Sequence, residues 1–191
     1  MNKIESIYAS TENPTDYVKG YLSHLSQIIA DLDHSSIADF IGILKEARQS
    51  GKTVFFIGNG GSAATASHFM NDLSIGTRPA GKPFKIVSLT DNNAVMTAIA
   101  NDFGYDCLFT KQLESQYSDG DVLVAISASG NSENLHQAVD YVKKRGGITV
   151  GLTGFDGGKL AKIVDHCLHV QTDKGEYGPV EDVHMIFDHV V

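Results

Sequence analysis

The run Thr53-Val54-Phe55-Phe56-Ile57 passes straight into Gly58-Asn59-Gly60-Gly61-Ser62 and then into the Ala-rich stretch Ala63–Asp72, and this sequence of residue types leaves few folds open. The β-branched and aromatic run reads as a buried strand. The Ala-rich stretch reads as a helix, and the glycines between them as a tight turn. A strand feeding a helix through such a turn gathers backbone N–H groups and a positive helix end at one point. That setting attracts anions, phosphate above all. His68 and Asp72 lie four residues apart and share one face of the helix.

The same strand-turn-helix unit recurs. Strands are expected at 53–57, 85–89, 121–126, 148–152 and about 166–170, most of them short and apolar without alternation, as strands covered on both faces should be. Helices are expected at about 61–75, 92–100, 106–117, 131–145, 157–163 and from 180 onward. Alternation of this kind implies parallel pairing with right-handed crossovers. The fold expected is a single α/β domain, a three-layer, doubly wound, five-stranded parallel sheet of the flavodoxin-like kind over 51–191. Two extra N-terminal helices precede it within 1–50, one starting at Pro14 after the N-cap Asn13 and one starting near Ser35. Residues 1–12 read as a polar arm, either loose or docked on a partner. Two leading helices exceed what the core needs, so their surplus apolar stripe is expected to pack on another copy of the chain.

Bulk composition removes several classes of partner. A net charge of -8, from 15 basic and 23 acidic residues, argues against nucleic acid and against an anionic membrane surface. An anionic substrate therefore needs a local trap of backbone dipoles and hydroxyls. Cys107 and Cys167 are too isolated for a disulfide framework or a thiolate zinc site and read as buried thiols. No stretch approaches the ~20 apolar residues of a membrane span, and none has signal-peptide form, so the expected location is the cytoplasm.

In doubly wound sheets ligands sit beyond the carboxyl ends of the strands. Three polar turns leave that edge: Gly58–Ser62, Ser127–Ser132 and Thr153–Gly158. The second, Ser127-Ala128-Ser129-Gly130-Asn131-Ser132, carries three hydroxyls beside a helix start. It reads either as a phosphate cradle or as a serine-rich N-cap turn. Neither GxGxxG nor GxxxxGK[ST] occurs, so no nucleotide cofactor is expected.

Together, GNGGSAATASHF and the later SASGNS resemble the sugar isomerase (SIS) domain family, with the greatest likeness to phosphoheptose isomerases. The likeness extends to Asn101-Asp102-Phe103-Gly104, Gly120-Asp121-Val122-Leu123, Thr153-Gly154 with Asp156-Gly157-Gly158, and the closing His-bearing helix. The resemblance implies conversion of sedoheptulose 7-phosphate to D-glycero-D-manno-heptose 7-phosphate, feeding heptose into lipopolysaccharide or another surface polysaccharide. It implies that Ser127, Ala128, Ser129 and Ser132 hold the phosphate, and that Asn59, Gly60, Gly61, Ser62, Asn101, Asp102 and Glu181 contact the sugar. The family's catalytic positions fall on Asp72, Glu181 and His189, and its metal positions on His68, Asp72, Glu181 and His189, for zinc or another divalent ion. Members are typically homotetramers with sites between subunits. Two departures stand out: Asp72 where the family has Glu, and Glu181 where it has Gln. Gly178-Pro179 also replaces an acidic-basic pair.

An aldose–ketose isomerase needs a base to move the proton α to the carbonyl, and an acid–base group or a metal to manage charge on the two oxygens of the enediol. Asp72 or Glu181 with His189 supplies such a pair. Glu181 and His189 are eight residues apart on one helix, about 12 Å along its axis. A shared ion would need long side chains to lean towards each other or a ligand from a second subunit, and the second is the favoured expectation. His184 reads as a surface or supporting residue, and His24, His34, His136, His166 and His169 lack evident partners. Two alternatives stay open: an isomerase of a related phosphosugar, and a non-catalytic SIS-fold adaptor of the kind that associates with a replication initiator.

Overall fold

The computed structural model describes residues 1–77 and 81–191. Five strands, β1 (Thr53–Gly58), β2 (Lys85–Ser88), β3 (Val122–Ser127), β4 (Ile148–Phe155) and β5 (His166–Gln171), form one sheet in the order β2-β1-β3-β4-β5. Every pairing is parallel. This is the expected three-layer, doubly wound arrangement. Strand order reverses between β1 and β3, which opens a crevice at their carboxyl ends.

Alternate residues of β1 serve the two faces, as a period of two requires. Val54 and Phe56 pack with α3 (His34–Ser50), α4 (Gly61–Asn71) and α9 (Tyr177–Val190). Phe55 and Ile57 pack with α5 (Asn93–Asp102), α6 (Leu108–Gln116), α7 (Glu133–Lys144) and α8 (Leu160–Ile163). On the first face Phe69 of α4 stacks on Phe56 with centroids 4.8 Å apart and meets Phe40 of α3 edge-on at 6.4 Å. Removing a ring buried this completely costs about 3–5 kcal/mol, enough to threaten a domain of marginal stability. The consequence for function is that α4 and α9 are pinned side by side on one face.

Some local expectations are corrected. The polar N-terminus is not loose. It forms α1 (Lys3–Ser10), started by a capping box in which Asn2 and Glu5 satisfy each other's backbone N–H groups. Asn13 then caps α2 (Pro14–Ala30). β4 extends three residues beyond the expected 148–152, because Thr153 and Gly154 still pair with His169 and Val170 of β5. Its turn therefore begins only at Asp156. The expected continuous helix 61–75 is α-helical to Asn71 and then widens into a π-helical turn over Asp72–Gly76. Such turns recur at functional sites. Among the described residues no helix is long and apolar enough to cross a membrane.

Candidate active site

At the β1/β3 crevice lies a cavity of about 210 Å³ lined by Asn59, Ser62, Ile126, Ser127, Ala128, Ser129, Ser132, Tyr177 and Glu181. A larger cleft of about 510 Å³ lies at the turn between α1 and α2, lined by Tyr8, Ala9, Thr11, Glu12, Asn13, Pro14 and Tyr17, but the α2 start there is already capped by the Asn13 side chain and Glu12 adds a carboxylate that repels an anion. Chemistry, not size, singles out the crevice.

The serine loop is held rigidly by backbone. Gly130 N donates to Ser127 O and Ser127 Oγ, Leu160 N donates to Gly130 O at 2.9 Å, and Gly154 N donates to Ala128 O at 3.0 Å. His136 Nε2 also meets Gly130 O at 3.0 Å, so this histidine braces the loop from below. Gly130 has φ +64, and a Cβ there would lie 2.1 Å from the Gly157 carbonyl oxygen, so only glycine permits this approach. Ser132 occupies the N-cap position of α7, yet its hydroxyl makes no capping bond. A cap with an idle hydroxyl, beside free N–H groups at a helix start, is arranged for an anion from outside.

α4 and α9 both follow a strand's carboxyl end, run in the same direction and touch in register. Gly61, at the start of α4, faces Glu181 so closely that a Cβ would lie 2.6 Å from either carboxylate oxygen. Seven residues further along each helix, His68 faces Asp188, with Nε2 and Oδ2 3.5 Å apart. His68 Nε2 also lies 3.3 Å from Asp72 Oδ2, and the His68 and His189 rings meet at 5.4 Å. One ligand atom from each of His68, Asp72, Asp188 and His189 lies within 4.8 Å of the others.

This quartet differs from the set expected from sequence. Asp188 takes the place assigned to Glu181, which lies in the cavity at the other end of the helix pair. The two-turn separation of Glu181 from Asp188 and His189 is the reason: one helix cannot fold back to bring them to a single ion. With Asp188 included, all four donors come from one chain, and this cluster requires no ligand from a second subunit. The sequence shows only that Asp188 adjoins His189; its approach to His68 is set by the packing of α9 on α4.

The Asp188 side chain is fully buried, and neither carboxylate oxygen has a hydrogen-bond partner among the described residues. Burial first, then repulsion from Asp72, pushes its pKa up to about 6, with His68 and His189 pulling it back down. A buried carboxylate left in this state is costly unless a cation answers it. Two imidazoles and two carboxylates suit zinc or a similar divalent ion, so the donors fit a metal.

The remaining expected residues are placed as follows. Asn59 and Ser62 line the cavity, and Gly60, with φ +56, starts α4 without a side-chain cap. Asn101 and Asp102 are exposed at the end of α5, bond to each other at 2.8 Å and do not line the cavity. Sequence reasoning missed Tyr177 and Asn134. The latter is buried and pairs with Asn59 through two amide hydrogen bonds of 2.9 and 3.0 Å. Its place on the buried Ala138–Val142 stripe of α7 was the available signal. His184 is fully buried rather than superficial; its Nε2 meets Thr153 O at 3.3 Å, and burial pushes its pKa down to about 4. His24 pairs with buried Glu176, and His169 with Thr153.

Known proteins with this fold and these residues narrow the assignment. A family model described as SIS domain matches residues 16–154. The phosphoheptose isomerase of Geobacter metallireducens is 40% identical over 155 residues, covering 81% of each chain. That of Aneurinibacillus thermoaerophilus is 34% identical over 184 residues, covering 92% of this chain and 90% of its own. The solved structure of phosphoheptose isomerase from Neisseria gonorrhoeae superposes with a TM-score of 0.84 at 29% identity, over 93% of this chain and 96% of that one. The chain belongs to the SIS domain family and, within it, to the phosphoheptose isomerases.

Proposed function

We propose that the protein interconverts sedoheptulose 7-phosphate and D-glycero-D-manno-heptose 7-phosphate, supplying heptose for a surface polysaccharide such as lipopolysaccharide. The observation that carries this reading is the in-register pair α4 and α9, with an anion cradle and the Glu181 carboxylate at one end and the His68/Asp72/Asp188/His189 quartet at the other. Ser62 and His68 are six residues apart on α4, about 9 Å along the axis. That spacing suits an extended phosphosugar with its phosphate and its carbonyl end held separately.

The Ser127, Ser129 and Ser132 hydroxyls and the start of α7 bind the phosphate, with Ala128 supplying backbone. Asn59, Gly60, Gly61 and Ser62 flank the carbon chain. His68, Asp72, Asp188 and His189 would hold the divalent ion, for which zinc is our assignment. Bound there, such an ion would supply Lewis-acid assistance to the substrate oxygens at that end. Asp72, the carboxylate at the reacting end, removes the proton α to the carbonyl and returns it to the neighbouring carbon, while Glu181 in the cavity contacts the sugar. His189, at the same end, moves the proton between the two substrate oxygens.

The assembly we propose is a homotetramer built on residues 1–50, with 51–191 as the catalytic core. Exposed Tyr8, Val18 and Leu22 on α1 and α2 support a covered face there. Asn101 and Asp102 are exposed and do not line their own chain's cavity, which supports a role for them in the sugar site of a neighbouring copy. The cytoplasm is the proposed location, and two free cysteines accord with a reducing compartment.

The test is turnover of sedoheptulose 7-phosphate in a coupled assay, before and after chelation, with Asp72→Asn beside the wild type. Loss of the carboxylate should cost kcat about 100-fold or more while phosphosugar binding persists. A wild-type protein that binds the ketose phosphate and never converts it would instead be a sugar-phosphate-binding adaptor. Preferential turnover of another ketose phosphate would reassign the substrate.

A further inference from the structure

His136 lies beneath the serine loop on α7 and is only 3% exposed. Both of its ring nitrogens are engaged. Nε2 lies 3.0 Å from the Gly130 carbonyl oxygen, and Nδ1 lies 3.2 Å from Glu133 Oε2. A carbonyl oxygen only accepts, so Nε2 carries a proton. An ionised carboxylate also only accepts, and Glu133 is ionised. Its side chain is half exposed, and the bond from His136 first, then the charge of Lys159, hold its carboxyl below the usual range. Nδ1 therefore carries a proton as well, and a histidine with two ring protons is a cation.

The surroundings give this cation a task. Glu133 stands in the first turn of α7, beside Ser132, where its charge competes with an incoming anion for the helix start. Lys159 Nζ lies 3.8 Å from Glu133 Oε2, so His136, Glu133 and Lys159 together carry one net positive charge. The cavity lining holds no lysine or arginine among the described residues. The contact with Gly130 also acts through the backbone. Gly130 O receives Leu160 N and His136 Nε2 together. A trans peptide points its N–H away from its C=O, so Asn131 N–H is aimed to the opposite side, where it donates to Ser129 Oγ at 3.4 Å. Ser129 lines the cavity, and accepting this bond leaves its own hydroxyl proton for a ligand.

We propose that His136, held as the imidazolium by Glu133, is a positioning residue for the substrate phosphate. It neutralises Glu133 at the helix start and, through the Gly130–Asn131 peptide, orients the Ser129 hydroxyl towards the anion. The inference rests on the phosphate reading of the serine loop. It also gives a use to a buried histidine for which the sequence offered no partner.

His136→Gln keeps a donor for Gly130 O and removes the charge. Calorimetric Kd and KM for sedoheptulose 7-phosphate should rise about tenfold, with kcat within about twofold of wild type. The same change made in a Glu133→Gln background should cost less than about threefold, because without that carboxylate nothing holds the second ring proton. A brace with no electrostatic role would lose equally in both backgrounds. Nitrogen NMR of histidine-labelled wild type, bound to the phosphosugar, reads the proton count directly. The His136 ring should show both nitrogens protonated. Its signals are assigned by their loss in His136→Gln or, should that variant not fold, by their shift in Glu133→Gln. A neutral His136 ring in the complex overturns the proposal, as does unchanged affinity in His136→Gln or an equal loss in the two backgrounds. Binding without turnover by the wild type would remove the isomerase reading, yet the calorimetric and NMR comparisons would still decide the role of His136. Absence of phosphosugar binding by the wild type removes both.

Discussion

The two ends of the α4–α9 groove are built by opposite means. The phosphate end is six consecutive residues, Ser127–Ser132, held by their own backbone and by glycines that allow close approach. The reacting end takes two residues from α4 and its π-helical extension and two from α9, more than 110 positions away in sequence. The first end has its hydrogen bonds in place and one idle hydroxyl. The second contains a buried carboxylate with no hydrogen-bond partner among the described residues. Chain-local sites are finished by folding. Sites made by helix packing can store an unmet charge and leave its neutralisation to a ligand.

The largest effect expected from this contrast lies at the reacting end. His189→Ala removes a group that both holds the ion and moves a proton, so kcat should fall by about 10²–10⁴. Affinity for the phosphosugar should change far less, because the serine loop does not touch His189. Metal content by mass spectrometry, kcat by coupled assay and Kd by calorimetry check the three parts together. Retention of full activity would break the assignment of this end.

Asp188 sharpens the contrast through pH. Its folded carboxyl titrates at about 6 against an ordinary 3.8, so between those values the folded state holds the extra proton. The stability Asp188 contributes is therefore fully present below about 3.8 and lost as pH rises through about 6, roughly 3 kcal/mol in total. Chelated Asp188→Asn should thus melt above chelated wild type at pH 7 to 8, with the two converging near pH 4. Adding zinc should reverse the order at neutral pH, since the ionised carboxylate then has a cation and the asparagine variant binds it more weakly. Identical melting curves for the two proteins across this range would show that the carboxylate is not strained.

Legibility in the sequence follows the same division. The sheet was readable because short apolar runs such as Val122–Ile126 cannot be exposed, and the serine loop because its hydroxyls are contiguous. The capping box at Asn2 and Glu5 was also present in the sequence as a spacing, and was overlooked in reading the first twelve residues as loose. Asp188 was not readable in the same way. A carboxylate in an amphipathic helix reads as solvated until the register of α9 against α4 is known, and that register is set by Phe69, Val183 and Phe187 in the core, not by the motif. The π-helical turn at Asp72 likewise has no local sequence cause in Asp72–Gly76 that we can name. It reflects packing of Leu73, which is 2% exposed.

The smallest effect expected is at the phosphate end, and it tests whether that end is as complete as its bonding implies. Ser132→Ala deletes a hydroxyl that makes no capping bond, so the folded protein loses nothing it was using and its melting temperature should stay within a degree or two. Substrate loses one donor to the phosphate, worth about 1–1.5 kcal/mol, so KM should rise about tenfold. Because the phosphate is bound alike in ground and transition states, kcat should hardly move. Kinetics on the ketose phosphate and a thermal melt decide the matter. A fall in kcat with KM unchanged would mean that this loop takes part in the chemistry, and the separation of the two ends would fail.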